Sequence, residues 1–103
     1  MPNFMFVYHG GKRPEGQDAI DKAMAAWGKW MKDNGPAFVD TGNPVGMSKT
    51  VSSSGTSDDG GSNPVFGYSI VSTPDMAEAC RIASSNPMVT EGGSIEVAEI
   101  LRM

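Results

Sequence analysis

Hydrophobic and polar positions along this chain change their period several times, and each change marks an element. Phe4 to Tyr8, "FMFVY", is an unbroken run of aromatic, β-branched and sulfur residues stopped by Gly10 and Gly11, which predicts a first strand. Phe4, Phe6 and Tyr8 share one face and Met5 and Val7 the other, so the strand belongs in a sheet covered on both sides. From Gln17 to Asn34 the period becomes helical. Ile20, Ala23, Met24, Trp27, Trp30 and Met31 recur at three- and four-residue spacing, opposite Asp18, Asp21, Lys22, Lys29 and Lys32. The helix ends in "DNGP", where Asn34 or Gly35 suits a left-handed cap and Pro36 cannot continue.

Ala37 to Asp40, "AFVD", predicts a short second strand stopped by "TGNP". Residues 42–64 are rich in Gly, Ser, Thr and Asp and predict a long loop or loose hairpin, with Met47 to Ser53 as an edge strand within it. Val65 to Val71, "VFGYSIV", is a strand apolar on both faces. It leads into a second helix, with Ser72 or Thr73 as cap, Pro74 in the first turn, and Met76, Ala79, Cys80, Ile82 and Ala83 as its buried stripe. Ser94 to Leu101, "SIEVAEIL", closes the chain as a final strand. The order β-α-β-(β)-β-α-β predicts an α+β fold of the ferredoxin-like, split βαβ kind, a single domain over residues 1–103 with both helices on one face. The bare face then meets its copy from a second subunit, closing a dimeric α+β barrel. A homodimer also supplies burial that a 103-residue chain lacks, since a domain of this size covers only about two-thirds of its unfolded surface.

Composition narrows the partners. A net charge of −4 disfavours nucleic acid and anionic membranes, which need clustered Lys and Arg, and only Gly11 to Arg13 is locally basic. No window approaches a membrane span and the N-terminal run does not read as a secretory signal, which predicts a cytoplasmic protein. The single cysteine, Cys80, excludes an intrachain disulfide and reads as a buried thiol. No metal motif or cofactor motif is present. The glycines and paired acids of 52–64 match neither a phosphate-binding loop nor a calcium loop.

The C-terminal text, from Phe66 to Ile100, resembles the YCII-related family, which overlaps the "DGPF" proteins. The pieces that carry the resemblance are Gly67 and Tyr68, then Ile70 and Val71, then Asn86 and Pro87, then Gly92, Gly93, Ile95, Glu96 and Val97. The N-terminal half follows through "MFVYHG", "WGKWMKDNG" and "DTGNPV". The resemblance implies the same dimeric ferredoxin-like barrel and a cleft in which members are proposed to use a His and Asp pair. The histidine that the family carries on its first helix falls here at Met24 or Trp27, and is absent.

Two functions therefore stand side by side. In the first, the protein is an enzyme that binds a small organic molecule between sheet and helix and moves a proton with His9, the only histidine, oriented by Asp40. In the second, the same cleft binds a ligand without chemistry or serves as an interaction module. His9 is then a strand terminator, and Asp40 a turn residue bonded to its own backbone. Trp27, Tyr8 and Tyr68 are the candidate ligand-binding residues, Trp27 as a pocket wall and the tyrosines through their hydroxyls.

Overall fold

The computed structural model describes residues 1–10 and 14–102, so the basic stretch Gly11 to Arg13 lies outside the described residues. Four strands form one antiparallel sheet in the order β2-β5-β1-β6: β1 (Asn3–His9), β2 (Phe38–Pro44), β5 (Val65–Ser72) and β6 (Ser94–Glu99). Helices α1 (Gln17–Asp33), α2 (Met76–Ser84) and the single turn α3 (Pro87–Thr90) complete the main body. A separate two-stranded ribbon, β3 (Thr50–Ser52) with β4 (Gly55–Ser57), interrupts the connection from β2 to β5.

Register assigns the faces of the sheet. Phe4 pairs with Val71, Phe6 with Ser69 and Val97, and Tyr8 with Gly67 and Ile95, and these residues face the helices. Phe4, Phe6, Tyr8 and Val71 are buried there with Trp30, Ala79, Ile82 and Ala83. The opposite face carries Met5, Val7, Tyr68, Ile70 and Ala98, half-buried or exposed. The apolar character of both faces is thus real, but within one chain only the helix-facing side is covered. The long extents of 44 and 43 Å against a thickness of 19 Å describe one helix layer on one sheet layer, each about 10 Å deep.

Local chemistry explains where the boundaries moved. The segment "TGNP" continues β2 instead of stopping it. Gly42 takes φ +78° and lets the strand bulge between Asp40 and Asn43 while pairing resumes at Tyr68 and Gly67. A Cβ on Gly42 would stand 1.6 Å from the Tyr68 carbonyl oxygen, so only glycine fits. The expected edge strand at 47–53 is shorter and pairs with β4, outside the main sheet. The cap of α2 is Asp75, whose Oδ1 accepts from the Glu78 backbone N–H at 2.9 Å, rather than Ser72 or Thr73. Pro74 accordingly precedes the helix. Cys80 is exposed, because the buried stripe of this short helix is Ala79, Ile82 and Ala83.

Candidate functional site

The first helix is seated at one end and raised at the other. Near its C-terminus Trp30 is buried, donates its indole N–H to the Ile82 carbonyl at 3.0 Å, and packs edge-on against Phe38 with ring centroids 5.3 Å apart. Towards its N-terminus Ile20 and Met24 are exposed, Met24 to 69%. Beneath that raised half, β5 places the small residues Gly67 and Ser69 at buried positions facing the helix. Small residues facing a helix remove volume, and the space they leave is a cavity of about 410 Å³. Tyr8, Trp27, Met31, Phe66 and Met88 supply its main apolar walls, and every described residue that lines it is uncharged. A wider recess of about 690 Å³ shares Trp27, Phe66 and Met88 and adds Lys22 and Glu91 towards solvent. Ligand pockets commonly hold 300 to about 1,000 Å³, so the inner chamber suits one small organic molecule.

Two polar side chains of the chamber, Tyr8 and Ser69, are joined in a relay that ends on a backbone carbonyl. The Ser69 hydroxyl donates to the Thr41 carbonyl at 2.7 Å, and the Tyr8 hydroxyl lies 2.6 Å from Ser69 Oγ. Ser69 has one proton and the carbonyl can only accept, so Tyr8 donates to Ser69 and keeps its own oxygen lone pairs for a guest. Burial pushes the Tyr8 phenol up to about 12, which keeps it neutral across the physiological range. Its ring is held from two sides. Trp27 stands edge-on at 5.1 Å between centroids, and Gly67, directly opposite in β5, leaves room for the ring, since a Cβ there would lie 3.3 Å from Tyr8 Cδ2.

The structure brings some of the anticipated residues together and separates others. Tyr8 and Trp27 both line the chamber. Tyr68 borders it at the β2 bulge, beside Gly42, while the alternation of β5 turns its side chain to the face bearing Val7. His9 and Asp40 do not form a pair. His9 sits opposite Val65 at one end of the sheet, whereas Asp40 sits opposite Ile70, which faces Met5. Four residues along a strand and two strand spacings across separate their Cα atoms by about 16 Å, far beyond a hydrogen bond or a single bridging water. Each also has a local task. His9, 8% exposed, faces away from α1, with Nδ1 3.2 Å from the Pro64 carbonyl and Nε2 3.2 Å from Glu96 Oε1. It ties the end of β1 to β6 and to the start of β5. Asp40 Oδ1 accepts from the Gly42 N–H at 2.8 Å and braces the bulge.

Ser69 was not among the residues singled out from the sequence, and it links the phenol to β2. Its signal was present: within "VFGYSIV" the alternate positions Gly67 and Ser69 are small on one side, a break in an otherwise bulky strand. Among the described residues no group of three His, Cys, Asp or Glu side chains is placed to hold a metal, and no helix is long and apolar enough to cross a membrane.

No protein-family model matches this chain, and no curated protein and no solved structure does either.

Proposed function

We propose that this protein is a small-molecule binding module whose ligand is a neutral, largely aromatic compound seated between α1 and the sheet. The observation that carries the reading is the chamber of about 410 Å³ with uncharged described walls, at which Tyr8, hydrogen-bonded to Ser69, is among the polar residues. Burying an unpaired charge in such a place costs several kcal/mol, whereas a flat apolar ring gains roughly 25 cal/mol per Å² removed from water. Trp27 and Phe66 offer ring faces and edges, and the flexible side chains of Met31 and Met88 adapt to the outline of the guest. A phenol, anilide or indole N–H or O–H that donates to Tyr8 Oη fits the free lone pairs. Proton transfer by a His and Asp pair loses its basis, because the two residues stand at different ends of the sheet and are engaged elsewhere. Binding without chemistry is therefore the better reading of this cleft.

The same proposal includes assembly and kinship. Strand order β2-β5-β1-β6 with antiparallel neighbours supports a ferredoxin-like, split βαβ architecture of the YCII-related kind. The apolar open face supports a homodimer in the manner of a dimeric α+β barrel, and the exposed, unpaired Cys80 suits a reducing cytoplasm. The experiment for the ligand is titration of the intact protein with phenol, indole and benzoate, followed by backbone amide shifts. Phenol and indole are expected to shift Tyr8, Trp27, Gly67 and Met88, with Trp27→Ala weakening them at least tenfold. Preferred binding of benzoate, or shifts elsewhere on the surface, overturns the assignment.

A further inference from the structure

The recess outside the chamber has walls of a different chemistry. Helix α1 serves both spaces with neighbouring stripes at three- and four-residue spacing: Ile20, Met24 and Met31 border the chamber, whereas Ala19, Lys22 and Ala26 border the recess. A second wall of the recess comes from Pro87 and Met88 of α3 and from Glu91, which caps the C-terminus of that turn. Trp27, Pro44, Phe66 and Met88 line both spaces, so chamber and recess adjoin around one collar of shared side chains. A guest whose ring occupies the 410 Å³ chamber therefore has the 690 Å³ recess beside it for whatever the ring carries. Small residues, Ala19, Ala26 and Gly93, keep that outer space wide.

Charge distinguishes the two spaces. Every described residue of the chamber is uncharged, while Lys22 and Glu91 are the charged ones among the described residues of the recess. They are opposite in sign and belong to different walls, Lys22 to α1 and Glu91 to the end of α3. Among the described residues neither is engaged in an ion pair. A recess bordered by one charge of each sign selects against a tail of single charge. A lone carboxylate drawn to Lys22 is repelled by Glu91, and a lone ammonium drawn to Glu91 is repelled by Lys22. A tail that carries both charges side by side meets a partner for each, and its net charge is zero.

We infer that the ligand class is an aromatic α-amino acid, its ring in the chamber, its carboxylate directed to Lys22 and its ammonium to Glu91. This rests on the binding chamber proposed above, and the zwitterionic tail in the recess is the feature new to it. The division of labour follows from burial. The ring is removed from water and supplies most of the affinity, whereas Lys22 and Glu91 are exposed and supply selection. Each exposed charge contact raises affinity by about fivefold at most, and salt weakens it.

Calorimetry at low ionic strength tests the inference on the full chain and on two variants, Lys22→Gln and Glu91→Gln. The probes are p-cresol, L-tyrosine, tyramine and 3-(4-hydroxyphenyl)propionate, which share one ring and differ in tail charge. The wild-type protein is expected to bind L-tyrosine about five- to tenfold more tightly than p-cresol, and more tightly than either singly charged analogue. Within each variant the preference for L-tyrosine over p-cresol should fall about threefold or more, with tyramine gaining in Lys22→Gln and the propionate gaining in Glu91→Gln. If p-cresol shifts the Tyr8 and Trp27 amides and binds as tightly as L-tyrosine, the tail assignment is overturned and the chamber stands. A preference for L-tyrosine that is unchanged in both variants likewise overturns it. Tighter wild-type binding of tyramine or of the propionate than of L-tyrosine overturns the zwitterion. If neither p-cresol nor L-tyrosine shifts those amides, chamber and tail fall together.

Discussion

Removing the Ser69 hydroxyl should cost more than removing the Tyr8 hydroxyl that depends on it. In Ser69→Ala the Tyr8 O–H loses its acceptor inside the wall of the chamber, where the residue is only 5% exposed. An orphaned buried donor costs about 1–3 kcal/mol, and the lost bond to the Thr41 carbonyl adds roughly 0.5 because Thr41 itself is exposed and its carbonyl can turn to water. The sum is about 1.5–3.5 kcal/mol. Tyr8→Phe removes one bond and leaves Ser69 donating to Thr41, so it costs about 1 kcal/mol. The double variant has no orphaned phenol, and its cost should fall below the sum of the singles by about 1 kcal/mol. Urea unfolding followed by tryptophan emission at one fixed protein concentration measures all three, with equal slopes expected across the series. Near 100 residues, 2 kcal/mol corresponds to a midpoint shift on the order of 10 °C. Strictly additive singles would mean that water already satisfies the phenol, and the relay from Tyr8 through Ser69 to Thr41 would be wrong.

Other consequences follow from the same geometry. Tyr8 is held at about 12 by burial, above the unfolded value of 10, so the folded state keeps the proton longer. Stability should therefore decline as pH rises from about 10 to about 12, by about 2–3 kcal/mol in all, and Tyr8→Phe should abolish that decline in alkaline unfolding curves. Gly42→Ala meets the Tyr68 carbonyl and a positive φ together, and is expected to lose at least ~3 kcal/mol or to fail to fold, read from circular dichroism melting. His9→Gln removes the tie among β1, Pro64 and Glu96; it should cost about 1–2 kcal/mol in urea while leaving the affinity for phenol within twofold, measured by calorimetry.

The elements were legible where one period dominates. The unbroken apolar run "FMFVY", the helical stripe from Ile20 to Met31 and "SIEVAEIL" each announce their type, although the last strand ends at Glu99 rather than Leu101. The second strand was cut short because Gly42 reads as a stop, whereas its positive φ makes a bulge that carries the strand on to Pro44. The cap of α2 was misplaced by two or three residues for a related reason: three side chains able to cap stand within 72–75, and only backbone geometry chooses Asp75. The cleft was half legible. Trp27 and Tyr8 pointed to it, but its volume comes from absence, Gly67 and Ser69 facing a helix raised at Met24, and an absence of side chain carries little weight when residues are read one at a time. His9 and Asp40 drew notice as titratable groups near glycines, and distance along the sheet, which no spacing in the sequence encodes, separates them.

The most direct test of the central claim is a comparison of phenol and toluene binding to the wild-type protein and to Tyr8→Phe, by amide shifts in the intact chain. The account predicts that phenol binds wild type more tightly than toluene, that both shift Trp27, Gly67 and Met88, and that Tyr8→Phe removes the preference while keeping toluene bound. Equal affinities in wild type, or a preference that survives in Tyr8→Phe, would contradict a chamber whose guest is held by the Tyr8 oxygen.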